Sequence, residues 1–267
     1  MLPSRYFVDL TQPEIAAQFK TKPLVILPVG SIEQHGPHLP TGTDTLAANV
    51  IGHAVAERMD GLVLPSTPLG VTPMHMPFEG TISLTPDTFM RVVTETCAST
   101  AKHGAKYLLV LNWHEGNIPS LAIAAEGLHR EHGMTVLTVQ ACYVAEELYG
   151  HSCNGLTHGG EIEALVVLAH RPDLVHLDRI DYSSDHQHGH KMDRLRRTRA
   201  YQPVLTDIRS IAPTGWFGSP QHATVEKGAS MITDIADAIA KEATEIFAEL
   251  DAVQGGTAEV KRLRQVG

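Results

Sequence analysis

Four short apolar runs punctuate the chain, and segments of helical periodicity separate them. In the first, Leu24, Val25, Ile26, Leu27 and Val29 show no alternation of apolar and polar positions, which predicts a strand covered on both faces. Runs at 62–64, 107–111 and 135–141 read as further strands. Between the first two, Leu46, Val50, Ile51, Ala54, Val55 and Met59 recur with the helical period until Gly61 stops them. Thr85 and Pro86 suit the N-cap and first position of a helix reaching His103 and Gly104, and another helix follows the third strand as far as Gly133. A short helix around 13–19 precedes the first strand. Near the C-terminus Ile232, Ile235, Ile239, Ala243, Ile246, Phe247 and Leu250 mark the buried stripe of a long amphipathic helix. Strands alternating with helices predict parallel βαβ units, hence an α/β fold: a three-layer α/β/α sandwich around a mostly parallel central sheet. Residues 142–157 carry no clear period and are expected to be irregular.

Composition narrows the function classes. At 267 residues, 43% hydrophobic and 19% charged, the chain can fill the core of one large α/β domain spanning 1–267, and global disorder is excluded. A formal charge of −9 argues against general nucleic-acid binding. No stretch approaches eighteen consecutive apolar residues, and the three scattered cysteines, Cys97, Cys142 and Cys153, form no metal or disulfide pattern. The expectation is a cytoplasmic protein acting on a small molecule, with neither nucleic acid nor membrane as partner. Sixteen histidines turn attention to metal.

The chemistry lies in the loops after the strands. The first strand runs into a Gly- and Pro-punctuated loop bearing Glu33, His35, His38 and Asp44, where open α/β sheets place their ligands. Carboxylate and imidazole together make the donor set of a hydrolytic divalent-metal site. Asp44 alone would equally suit a helix cap. The third strand ends in NWHEGN, with His114 and Glu115. A third segment, THGGEIE, offers His158, Glu161 and Glu163, the two carboxylates falling in a first helical turn where helix capping competes with any catalytic role. The Pro- and Met-rich segment 67–83 reads as a site wall with His75 and Thr81 as polar candidates. Residues 181–201, with His186, His188 and His190 ahead of a basic cluster, read as a mobile, solvated excursion. Its histidines resemble an accessory metal site, and its arginines could meet an anionic substrate or a neighbouring subunit.

The motifs GSIEQHGPHLPTGTD, NWHEGN and HGGEIEA, with GWFGSPQHATVEKG near the C-terminus, resemble in order those of the creatininase family of metal-dependent amidohydrolases. That resemblance implies two divalent ions, zinc, manganese or iron, at the strand ends and a homo-oligomer, commonly a hexamer. It places Glu33, His35, Asp44 and His114 at metal positions, with Asp44 bridging, and His158 beside the substrate. Creatininase itself takes its fifth ligand two residues after the second-motif histidine, where this chain has Gly116; many relatives use a glutamate of the third motif, matched here by Glu161. The expected ligand set is therefore Glu33, His35, Asp44, His114 and Glu161. His158 and Glu115 are the expected proton-moving groups, and Glu163 a bracing one. Asn154 and Gly155 replace the tryptophan and aspartate that creatininase carries before its third motif, which points away from creatinine. The expected activity is hydrolysis of an amide, cyclic amide or formamide C–N bond in a small polar molecule. Alternatives are hydrolysis of a lactone or oxidised cyclitol, a catalytically idle metal-binding subunit, or a thiol hydrolase built on Cys153 with His151 or His158.

Overall fold

The computed structural model describes residues 2–183, 186–196 and 204–265. Four strands, β1 (Leu24–Val29), β2 (Leu62–Val63), β3 (Tyr107–Asn112) and β4 (Thr135–Gln140), form one parallel sheet in the order β2-β1-β3-β4. Pairing of β1 with β3 runs in register from Leu24 against Tyr107 to Val29 against Asn112. Each strand alternates its side chains between the two faces, so both faces are apolar and need a covering layer. Ile26, Leu109 and Leu111 pack with α2 (Thr43–Met59), α5 (Ala141–Tyr149), α6 (Glu161–His170) and α8 (Val225–Gln265). Val25, Leu27, Leu108 and Val110 pack on the other side with Phe19 of α1 (Gln12–Thr21), α3 (Pro86–Ala101) and α4 (Ile118–His132). The result is the expected α/β/α sandwich.

Strand order positions the site. From β1 the chain crosses through α2 to β2 on one flank, whereas from β3 it crosses through α4 to β4 on the other. The two crossovers leave on opposite faces and open a crevice between the carboxyl ends of β1 and β3, the place where such sheets bind ligands.

Two expectations about elements are corrected. Helix α5 occupies 141–149, where irregular chain was expected and where β4 was expected to include residue 141; Ala141, Cys142 and Ala145 are its buried positions, too few and too small to announce a helix. The histidine-rich run is not simply a solvated excursion, because α7 (Gln187–Arg196) crosses it and rests on aromatic residues. His186 stands edge-on to Trp216 with ring centroids 4.4 Å apart, and His190 to Phe217 at 5.7 Å. Asp185, Arg197 and Arg199 of the same run lie outside the described residues. No described helix is long and apolar enough to cross a membrane.

Candidate metal centre

The loop leaving β1 turns back at once, Glu33 N–H donating to the Thr41 carbonyl at 2.9 Å, and brings Glu33 and His35 against the first turn of α2. Asp44 sits in that turn, where the helix dipole favours a carboxylate. Ser31 Oγ donates to Asp44 Oδ2 at 2.7 Å, and Thr72 Oγ1 to Glu33 Oε2 at 2.5 Å, so both carboxylates are held in place. The β3 loop is braced by its asparagines. Asn112 Nδ2 donates to the His114 carbonyl at 2.6 Å, and Asn117 Nδ2 to the Gly30 carbonyl at 2.9 Å, tying the ends of β1 and β3 together.

The histidine tautomers follow from fixed backbone acceptors. His35 Nδ1 lies 3.0 Å from the Glu33 carbonyl, which can only accept, so Nδ1 carries a proton and Nε2 is the atom turned to the carboxylates, free to bind an ion once it gives up its own proton. That Nε2 is buried and makes no hydrogen bond, yet stands 3.2 Å from Asp44 Oδ1 and 3.6 Å from Glu163 Oε2. His114 donates from Nε2 to the Val71 carbonyl at 3.0 Å and turns Nδ1 towards Glu33 Oε2 at 3.2 Å and Asp44 Oδ2 at 3.1 Å. Two three-donor groups result: Glu33, Asp44 and His114, and His35, Asp44 and Glu163. Asp44 gives one oxygen to each.

The electrostatics call for cations. Glu33, Asp44 and Glu163 are at most 7% exposed, and among the described residues no lysine or arginine pairs with them. Burial opposes the charged form of His35, but Glu163 and Asp44 outweigh it and push the imidazole up to about 10. Burial likewise pushes Glu163 up to about 8, with Asp44 adding repulsion and His35 opposing. Burial and the Glu33 charge work against ionisation of Asp44, and the neighbouring His35 and His114 still hold it at about 2. Negative charge this concentrated and buried is stable only when opposite charge enters with it. The orphaned His35 Nε2 fits a metal ligand.

Glu161 does not share this cluster. Lys227 Nζ, from α8, donates to its carboxylate at 2.6 Å, with Glu161 only 2% exposed. Glu161, the expected fifth ligand, is therefore engaged by Lys227, and the carboxylate of this turn that stands with His35 and Asp44 is Glu163, expected to brace. Glu163 is anchored there by the Gly159 N–H at 2.6 Å. Gly159 has φ +71°, and a Cβ on it would stand 2.8 Å from the Trp216 side chain, so only glycine makes that turn.

Of the other candidates, His158 directs Nδ1 towards Glu33 Oε1 at 3.7 Å, its Nε2 donating to the Gln34 carbonyl at 2.7 Å. Burial and the neighbouring His35 and His75 hold its basicity well below the usual imidazole range. His75 receives Gln34 Nε2–H on Nδ1 at 3.0 Å, which leaves its own proton on Nε2, 3.8 Å from Glu33 Oε1. Gln34 thus sets both rings, a role sequence reading missed although the residue stands between Glu33 and His35. Glu115 lines the same cavity, of about 320 Å³, beside Glu33, Asp44, His114 and Glu163. The thiol alternative loses its geometry: Cys153 is 1% exposed, burial pushes its thiol up, and it does not line the cavity. None of His186, His188 and His190 joins a group able to hold a metal among the described residues.

Comparison with known proteins agrees with the motifs. Residues 8–243 match the family profile described as Creatininase, creatinine amidohydrolase. The chain is 32% identical over 229 residues to the mycofactocin precursor peptide peptidase of Mycobacterium ulcerans (strain Agy99), covering 81% of this chain and 83% of that one. It is 30% identical to the creatinine amidohydrolase of Pseudomonas putida, covering 91% and 98%. A solved structure described as Creatininase Mn superposes with a TM-score of 0.72 at 28% identity, covering 90% of this chain and 98% of that one. With its hydrolase relatives, its sheet order and its motifs in agreement, this chain belongs to the creatininase family.

Proposed function

We propose that the protein is a dinuclear-metal hydrolase that cleaves a C–N bond, in an amide, cyclic amide or formamide, of a small molecule. The observation that carries this reading is Asp44, whose two oxygens face two different histidines, each with a second carboxylate beside it. Glu33, Asp44 and His114 would hold one ion and His35, Asp44 and Glu163 the other, a donor set suited to zinc, manganese or iron. Bound there, such a pair supplies a nucleophile from water near neutral pH and a Lewis acid for the carbonyl. The chain's own residues do the rest. His158, neutral and with its Nδ1 lone pair facing Glu33, is placed to take a proton and pass it to the leaving nitrogen. His75, its ring 4.4 Å from that of His158, offers an Nε2–H donor beside it, and Glu115, which lines the same cavity, would face substrate. A peptide amide is a second reading, favoured by the likeness to a peptidase.

The test is a hydrolysis screen over amides, formamides, short peptides and lactones, run with and without a chelator. Amide or formamide turnover that is lost on chelation and restored by zinc or manganese supports the proposal. Turnover indifferent to chelator, or confined to lactones, contradicts it, and tight metal with no turnover favours an idle subunit.

A further inference from the structure

Much of the lining of the cavity is apolar. Met74, Leu156, Met192, Ile208, Ile211 and Phe217 line it together with Glu33, Asp44, His114 and Glu163. Separate segments of the chain supply this wall, so it is not the incidental flank of one element. Ile208, Ala212 and Phe217 form a small apolar cluster with Met74, Phe78 and Ile211 packed on it. Helix α7 closes over them. Its Gly189 sits so near Phe217 that a Cβ there would stand 2.7 Å from the ring, and this brings Met192 to the cavity. Had the wall served only to finish the core, its side chains would meet nothing but one another. Met74, Met192 and Ile211 instead remain beside a space of about 320 Å³, at the lower end of small-molecule sites, roughly 300–1,000 Å³. Among the described lining residues there is no lysine or arginine to receive an anion.

We infer that the substrate carries an uncharged apolar group, of the size of a phenyl ring or branched alkyl chain, attached to the bond that is cleaved. Such a group goes beyond the small polar molecule expected from the sequence. This inference rests on the proposed hydrolase reading for which end of the ligand meets Glu33 and Asp44, whereas the apolar end is set by Met74, Met192, Ile211 and Phe217. Burying a group of this size in place of a methyl strengthens binding on the order of tenfold.

The test uses the full chain labelled with ¹³C at its methionine methyls and titrated with acetamide, benzamide and 4-carboxybenzamide, with and without zinc. The expected result is that benzamide binds at least about tenfold tighter than acetamide, moves the Met74 and Met192 resonances, and binds better than its carboxylate analogue. Met192→Gln, which keeps the side-chain length, should weaken benzamide several-fold; Met74→Gln serves the same purpose should the first variant not fold. Equal affinity for acetamide and benzamide, silent Met74 and Met192 methyls, or preference for 4-carboxybenzamide would overturn the inference. Zinc content of the same samples reports separately on the metal reading. Protein that takes up no zinc yet responds to benzamide at both methionines removes that reading and leaves the apolar wall standing.

Discussion

Glu161 and Glu163 stand two apart in one helical turn, and side chains at that spacing do not face the same way. One of them must therefore turn from the cluster, and the choice is made elsewhere in the chain. Lys227 takes Glu161, while the turn through Gly159 offers its N–H to Glu163. Asp44 is the residue on which both halves of the centre depend, so Asp44→Ala should remove both ions together with activity, measured as metal per chain after gel filtration. Retention of even one tightly bound ion in that variant would show that the halves are independent. Proton linkage gives a second prediction. His35 is pushed up to about 10 and Glu163 up to about 8, so at pH 7 both lie below those values and hold protons that an incoming ion must expel. Metal affinity should therefore rise as pH increases from about 6 to about 9, and uptake at neutral pH should release protons, as titration calorimetry in buffers of different ionisation enthalpy would detect. An affinity flat across that range contradicts the linkage. The motif residues were legible in the sequence because four donors lie within two short loops. The proposed part of Glu163 was not, since Glu161 is drawn away by Lys227, 66 positions further along the chain.

At the scale of elements, β1, β2 and β3 were legible as largely apolar runs, a consequence of a sheet covered on both faces, whereas β4 mixes Thr135, Thr138 and Gln140 with Val136, Leu137 and Val139. Helix α5 was not legible, because only Ala141, Cys142 and Ala145 are buried in it and the remaining residues mix aliphatic Val144 and Leu148 with tyrosines and glutamates. Helix α7 was hidden by its polarity. Its place is fixed by Trp216 and Phe217, which come much later in the chain and cannot be read from its own period. The loop after β3 carries a prediction of its own. A Cβ on Gly116 would lie 2.2 Å from the Val71 carbonyl and 2.5 Å from His114 Nε2, wedging into the hydrogen bond that orients His114. Gly116→Ala should cost about 1–3 kcal/mol of stability and weaken the ion held by Glu33, Asp44 and His114. Thermal unfolding with and without metal measures both effects, and an unchanged melting temperature would mean that the loop can shift without loss.

For the molecule as a whole, the sheet order creates one crevice between β1 and β3, and every donor in the proposed centre reaches it from a loop at a strand end or from the first turn of α2 or α6. Residues of α7 and of the 208–217 segment line the same cavity, so its charged and apolar side chains come from distant parts of the chain. We propose, on the family resemblance, that the protein assembles as a homo-oligomer, with sedimentation equilibrium as the check. The central claim is that two ions share Asp44 and that Glu163 completes the second of them. Counting metal per chain by native mass spectrometry on wild type, Glu163→Gln and Glu161→Gln tests it most directly. The account predicts two ions in wild type, one in Glu163→Gln and two in Glu161→Gln. Two ions retained in Glu163→Gln, with one lost from Glu161→Gln, would contradict it.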